Sequence, residues 1–185
     1  MSDEQVLIDQ CLSGQSKAQK ELYDKYSSHW YMICLRYLKN KTTAEDIMQN
    51  GLVKIFTKLS SFDSTKSLFK TWSSKIMVNE FLQYFRGKKI QYENADIADS
   101  SELNISYSDD PIHKISAQEI TTYIQALPAG YRLVFNLVAI EGYTHIEVGE
   151  RLGIKPGTSK SQFFKARNLL KTQLTKLYGF HGVVL

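Results

Sequence analysis

Hydrophobic residues recur along the chain at helical rather than alternating spacing, so every element the pattern predicts is a helix. Val6, Leu7, Cys11 and Leu12 mark a short amphipathic helix that stops at Gly14. Ser16 with Gln19 reads as a capping box opening a longer helix, with Leu22, Tyr23, Tyr26, Trp30, Ile33, Cys34, Tyr37 and Leu38 on its inner face. The polar patch Lys39–Thr42 breaks it, and Thr43 caps a third helix with Ile47, Met48, Leu52, Ile55, Phe56 and Leu59 facing inward. Asp46, Gln49, Asn50 and Val53 leave a mostly polar strip on the other side. After the turn SSFDSTKS, the helix LFKTWSSKIMVNEFLQYFRGKK closes the first half.

The second half carries a helix-turn-helix signature between Gly142 and Leu170. Thr144 with Glu147 makes a capping box, and Val148 and Leu152 share a face with Gly149, where a second helix approaches closely. Gly153 ends this helix, Ile154 plugs the turn and Pro156 opens the next, where its missing N–H costs nothing. Phe163, Ala166, Leu169 and Leu170 point to the core, while Lys160, Ser161, Phe164, Lys165 and Asn168 fall toward the other side.

Charge turns this shape into a functional candidate. From Arg151 to Leu185 there is no acidic residue, while Arg151, Lys155, Lys160, Lys165, Arg167, Lys171 and Lys176 are basic. One-signed charge along a helix is the footprint of a phosphate backbone, and the stretch reads as a DNA-reading helix. The net charge of +4 hides a three-part distribution: +5 over residues 1–90, −6 over 91–110 and +5 over 111–185. The acidic middle is rich in Ser and Asn and lacks periodicity, which makes it a linker. The expected fold is therefore all-α, with two small helical domains at 1–90 and 112–178, an acidic linker at 91–111 and a tail at 179–185.

Composition narrows the function further. Hydrophobic content of 43% supports a packed core. No apolar run approaches the ~20 residues of a membrane span. The amino end has no secretory pattern, and Cys11 and Cys34 sit in apolar patterns, so a cytoplasmic protein with reduced thiols is expected. The four histidines, His29, His113, His145 and His181, are scattered. No catalytic constellation, phosphate-cradling loop or metal-ligand spacing stands out, so neither enzyme chemistry nor a cofactor is expected. The helix starting at Leu68 interleaves rings with cations, as single-stranded nucleic acid requires. Phe81 and Phe85 read as core, Trp72 and Tyr84 as either core or stacking residues, and Asn79 as either a partner within the fold or a base reader.

From end to end the chain resembles the extracytoplasmic-function (ECF) group of bacterial RNA polymerase sigma factors. The strings ELYDKYSSHWY, AEDIMQNGLVKIF, FKTWSSKIMVNEFLQYFRGKK, ALPAGYRLVFNLVAIEGYTHIEVGERLGI and GTSKSQFFKAR carry the resemblance in this order, and the carboxyl-terminal stretch resembles members from the Bacteroidetes. The resemblance implies an amino-terminal domain that binds core polymerase and the minus-ten element, and a carboxyl-terminal one for the minus-thirty-five element. Asp46, Gln49, Asn50 and Val53 would face the coiled coil of the largest polymerase subunit. Ser61, Phe62, Asp63, Lys66, Trp72, Asn79, Tyr84, Arg86, Lys88 and Lys89 would serve the melted minus-ten strand. Lys160, Ser161, Phe164 and Lys165 would enter the major groove, with Arg167 and Lys171 nearer the backbone. An anti-sigma factor is the further partner the family implies. The acidic linker would lie in the polymerase channel or act only as a solubilising spacer. The chain departs from common family residues at Asn50, Gly51, His145, Ile146, Ser159 and Gln162, so a weakened or bent third helix and an adenine-reading Gln162 are expected. A stand-alone helix-turn-helix regulator is the competing class; it explains the second half but not the first.

Overall fold

In the computed structural model, residues 3–87 and 117–178 are described, every regular element among them is helical, and the chain divides into two units. The acidic segment 91–111, Lys88, Lys89 and the tail 179–185 lie outside the described residues.

The amino-terminal unit contains α1 (Asp3–Leu12), α2 (Ser16–Tyr37), α3 (Lys41–Thr57), a one-turn 3₁₀ segment (Leu59–Ser61) and α4 (Phe69–Gly87). Helix α1 buries Leu7, Ile8 and Cys11. It is tied to α2 where Glu4 accepts from Lys25 at 3.1 Å and from the Tyr26 hydroxyl. Gly14 takes φ +81° in the turn between them, a conformation that costs a side chain-free residue nothing. The core is aromatic. Trp30, Tyr37, Phe69 and Phe81 are buried, with Tyr37 stacked on Phe81 at 4.3 Å and Phe69 set against both Tyr26 and Trp30. Trp30 donates its Nε1–H to Ser73 Oγ at 3.0 Å, so the one polar atom of the largest buried side chain is satisfied.

Two expected caps are corrected. Ser16 is the first helical residue of α2 rather than its cap; Gln15 holds the cap position without a side-chain bond, and its carbonyl accepts from Gln19 N–H. Helix α3 starts two residues before Thr43, because Asn40 Oδ1 accepts from Thr43 N–H at 2.9 Å and is itself a strong N-cap. Val6, Leu12 and Tyr23, read as inward, are exposed at the edges of their helical stripes. Gly51, expected to weaken α3, is buried where α4 crosses, and a Cβ there would lie 2.3 Å from Met77 Sδ. Lys54 of α3 reaches Glu80 and, at 3.0 Å, Gln83 of α4 beside this contact.

The carboxyl-terminal unit contains α5 (Ala117–Ala126), α6 (Ala129–Phe135) running into a π-turn (Asn136–Ile140), α7 (His145–Leu152) and α8 (Pro156–Tyr178). Tyr123, Ile124, Leu127, Tyr131, Phe135, Ala166 and Leu170 form its core, with Phe163 and Leu174 packed against it. Leu169, expected in this core, is exposed. Buried Arg132 donates to the carbonyls of Gln125 (2.7 Å) and Leu127 (3.1 Å), capping the end of α5 with a cation where the helix dipole is negative. Burial pulls its pKa down to about 10, which leaves it charged at neutral pH.

Candidate nucleic-acid and protein interfaces

The first surface is the outer face of α3. Ala44, Ile47, Met48, Gly51 and Ile55 take the inner face. The i, i+3, i+4, i+7 set Asp46, Gln49, Asn50 and Val53 is therefore left outside, and all four are exposed. Val53 is 63% exposed, an apolar side chain set in a polar strip.

The second surface begins in the turn after α3. Asp63 Oδ1 accepts from Thr65 N–H at 2.9 Å and from the Thr65 hydroxyl at 2.6 Å, and Asp63 pairs with Lys66 at 2.9 Å. Those bonds, the Thr65 hydroxyl first, hold its carboxyl down to about 2. The Phe62 ring stands perpendicular to Phe69 at 5.4 Å and packs against Trp72 at 5.5 Å. The Ser61 hydroxyl bonds back to the Lys58 carbonyl at 2.7 Å. Phe62 and Asp63 thus build the turn, while exposed Lys66 projects from it.

Along α4 and the residue before it, helical spacing brings Leu68, Trp72, Lys75, Asn79 and Arg86 into one strip within about 60° of the helix circumference. Trp72 is half-buried through its contacts with Phe62 and Phe69 (5.7 Å), and the other four are exposed. Tyr84 does not join them. It lies about 160° round the helix from Leu68 and is half-buried. Phe81 and Phe85 are core, as read from spacing. On the far side of α4, His29 Nε2 meets Ser74 Oγ at 2.9 Å; desolvation, then Lys70, lowers the His29 pKa and favours the neutral ring.

The third surface is the helix-turn-helix. The Thr144–Glu147 capping box forms: Glu147 N–H donates to Thr144 Oγ1 at 3.2 Å, and Thr144 N–H donates to Glu147 Oε2 at 2.8 Å. The Thr144 N–H, and then the Thr144 hydroxyl, which donates to the same carboxylate oxygen at 2.8 Å, lower the Glu147 pKa. Gly153 takes φ +69° at the end of α7, and Ile154 N–H returns to the Gly149 carbonyl at 3.1 Å. The turn folds so tightly on Gly149 that a Cβ there would sit 2.7 Å from the Ile154 carbonyl oxygen.

Two departures from the family pattern meet in this turn. His145 Nδ1 lies 2.9 Å from Ser159 Oγ, joining the first residue of α7 to the start of α8. Ser159 is 0% exposed, so this hydroxyl faces no water. The His145 ring packs edge-on to Phe163 at 5.7 Å, and Phe163 stacks on Phe135 of α6 at 6.0 Å. Desolvation, then Lys160, lowers the His145 pKa. Ile146 beside it is exposed.

On α8, Lys160, Ser161, Phe164, Lys165, Asn168 and Lys171 share the solvent side. Phe164 is 63% exposed, so a large ring stands in the middle of a cationic face. Arg167 lies at the rim, half-buried, its guanidinium 5.9 Å from the Phe163 ring. Gln162 is corrected. It is only 7% exposed and sits against Gly130 of α6, with no hydrogen-bond partner for its Oε1 among the described residues. It faces the unit's interior and cannot reach a base edge.

Other chemistry is sparse. Cys11 and Cys34 are free and buried, and burial pushes the Cys34 thiol up to about 12, away from thiolate reactivity. Among the described residues, no group of His, Cys, Asp and Glu could hold a metal ion, and no helix is long and apolar enough to cross a membrane.

The family comparisons follow the same division. Sigma-70 region 2 matches residues 22–90, and sigma-70 region 4 matches residues 117–170. The chain is 32% identical over 181 residues to the ECF RNA polymerase sigma factor SigW of Bacillus subtilis, covering 92% of this chain and 96% of that one. It is 29% identical over 153 residues to SigM of the same organism, covering 82% and 91%. The ECF RNA polymerase sigma-E factor of Escherichia coli is 24% identical over 185 residues, covering 94% and 95%. The chain therefore belongs to the ECF family of RNA polymerase sigma factors. Among solved structures it is similar to the sigma factor RpoE in complex with the anti-sigma factor NepR from Bartonella quintana, at 23% identity, 84% and 96% coverage and a TM-score of 0.49.

Proposed function

We infer that this sigma factor directs core RNA polymerase, in the cytoplasm, to promoters whose two elements are read by its two units, and that all catalysis belongs to the polymerase. The α3 strip of Asp46, Gln49, Asn50 and Val53 is assigned to core polymerase. The turn with Lys66, the α4 strip with Trp72, Asn79 and Arg86, and Lys88 and Lys89 beyond it are assigned to the melted minus-ten strand. Lys160, Ser161, Phe164 and Lys165 are assigned to the major groove of the upstream element, with Arg167 and Lys171 at its phosphates. The acidic segment 91–111 connects the two readers. An anti-sigma factor covers the α3 and α8 surfaces when the protein is held inactive.

The observation that carries this reading is the pairing of two different nucleic-acid chemistries in one chain. The α8 face combines cations with a protruding ring, which suits phosphates and a thymine methyl in duplex DNA. The α4 strip combines a half-buried indole, an amide and cations, which suits an unstacked base and its backbone. The test separates the surfaces. Val53→Glu with Asn50→Lys should abolish core binding while duplex affinity stays unchanged. Lys160→Ala with Lys165→Ala should weaken duplex affinity and flatten its salt dependence by about two charges, leaving core binding intact. Loss of both activities in either variant would overturn the division of labour.

A further inference from the structure

His145 is the one described histidine of the carboxyl-terminal unit, and it stands at the joint of the helix-turn-helix. Its Nδ1 lies 2.9 Å from the fully buried Ser159 hydroxyl, and its ring packs edge-on to Phe163. The residue after Ser159 on α8 is Lys160, exposed and assigned to the major groove. His145 itself is only half-buried. With Nδ1 turned inward to Ser159, the other ring nitrogen, Nε2, is the one left for an outside partner. A hydroxyl accepts a hydrogen bond as readily as it donates one, so Ser159 can hold the ring in place whether it is neutral or charged. The geometry fixes where the ring stands and leaves its protonation free to change.

The surrounding charges set which state is favoured. In the free protein, desolvation and then the Lys160 ammonium lower the His145 pKa and favour the neutral ring. Helix α8 carries no acidic residue to oppose them, and Lys155 just before it adds the same sign. On α7, Glu147 is engaged by Thr144, and Arg151 lies over the Tyr143 ring at 4.2 Å. Arg132 of α6 is turned to the end of α5. Glu141, after the π-turn, and Glu150, further along α7, are the remaining carboxylates of these elements, and neither is among the charges that shift the ring. Duplex DNA reverses the balance. A phosphate beside the ring attracts an imidazolium, and phosphates around Lys160 offset its repulsion. We propose that His145 is a phosphate contact of the upstream duplex that takes up a proton as the DNA binds, so that this unit holds its element more tightly as pH falls through the histidine range. Protonation and binding then favour each other by the same factor. The contribution is full below the pKa of the ring in the free protein and is lost as pH rises through its higher pKa in the complex. The proposal rests on the assignment of the α8 face to duplex DNA.

The test uses the full chain and a duplex carrying the upstream element mapped for this protein, at constant ionic strength. Wild type should bind about three- to ten-fold more tightly near pH 6 than near pH 8. Calorimetry in two buffers of different ionisation enthalpy should show net proton uptake near neutral pH. His145→Asn keeps a polar atom within reach of Ser159 but cannot be charged. Its affinity should vary by less than about two-fold over the same range, with no proton uptake. Equal pH dependence in the two proteins would overturn the proposal, as would a wild-type affinity that stays flat or falls as pH falls. The titration of the ring itself, followed by NMR in the wild type, tests the point without a variant. Its midpoint should move up when duplex is added, and an unmoved or lower midpoint would overturn the proton uptake. Lys160→Ala with Lys165→Ala separates the two levels. If that variant loses duplex affinity while His145→Asn keeps the wild-type pH dependence, only the proton-linked contact falls. If it binds duplex as wild type does, the assignment of the α8 face falls and the contact with it.

Discussion

The two units each place a glycine where two elements touch, and the contacts differ in kind. In the amino-terminal unit, Gly51 faces the free end of the Met77 side chain, with Sδ 2.3 Å and Cε 3.0 Å from a Cβ built at this position. In the carboxyl-terminal unit, Gly149 faces the Ile154 carbonyl at 2.7 Å, with Pro156 ring atoms at 3.6 Å. A thioether can swing aside, because Met has three rotatable bonds and fills gaps adaptably. A carbonyl in a turn closed by its own hydrogen bond cannot. The amino-terminal unit thus owes its geometry to large, adjustable side chains between long helices, and the helix-turn-helix owes its geometry to backbone.

The sharpest way to break this comparison is to add one methyl at each site. Gly149→Ala should destabilise the carboxyl-terminal unit by about 1–3 kcal/mol, as overpacking against rigid backbone does, and should weaken duplex binding in parallel. Denaturation monitored separately for the two units would show the loss confined to one of them. Next in size is Ser159→Ala, which removes the buried partner of His145 Nδ1 and should cost about 1 kcal/mol. It should also loosen α8 against α7, seen as a reduced ratio of specific to non-specific duplex affinity. Gly51→Ala is expected to fall within about 1 kcal/mol of neutral, because the gain in helix propensity offsets the displacement of Met77. A cost as large as that of Gly149→Ala would show that the α3–α4 contact is as rigid as the turn.

The smallest effect is with pH. Glu147 has a depressed carboxyl pKa in the fold, so its capping contribution is present above the ordinary carboxylate range and is lost as pH falls below it. Asp63 is held down to about 2, so its turn keeps its ion pair and bonds to lower pH. Carboxyl chemical shifts followed from pH 6 downward should therefore show Glu147 protonating, and the first turn of α7 fraying, before Asp63 titrates. The reverse order would contradict the hydrogen-bond assignments of both turns.

The same contrast explains what was legible in the sequence. The helix-turn-helix could be read almost residue by residue, because its signals are local: a T-x-x-E box, a glycine in the left-handed region and a proline at the first helical position. Two positions were misread: Leu169, taken as core, is exposed, and Gln162 was treated as outward because it is polar, whereas the approach of Gly130 on α6 turns that position inward. In the amino-terminal unit, helix existence and the aromatic core followed from spacing. The starts of α2 and α3 did not, since Ser16 and Thr43 look like caps but Gln15 and Asn40 hold those positions. The close approach of α4 at Gly51 was not legible, because its partner, Met77, is distant in sequence. The α3 strip was visible as the complement of an apolar face. Along α4 the spacing places Trp72 and Asn79 on one strip and Tyr84 on another side of the helix, a separation that composition alone does not show.

The central claim is that two separate surfaces of one chain read two promoter elements for core polymerase. The most direct test is transcription by purified core RNA polymerase on sheared genomic DNA, with and without this protein, with transcript starts mapped genome-wide. The account predicts discrete new starts that share two spaced upstream motifs, with the upstream motif's contribution lost on Lys160→Ala/Lys165→Ala and the downstream one's on Asn79→Ala. Duplex binding without polymerase and no new starts would contradict it, and would make the protein a stand-alone regulator instead.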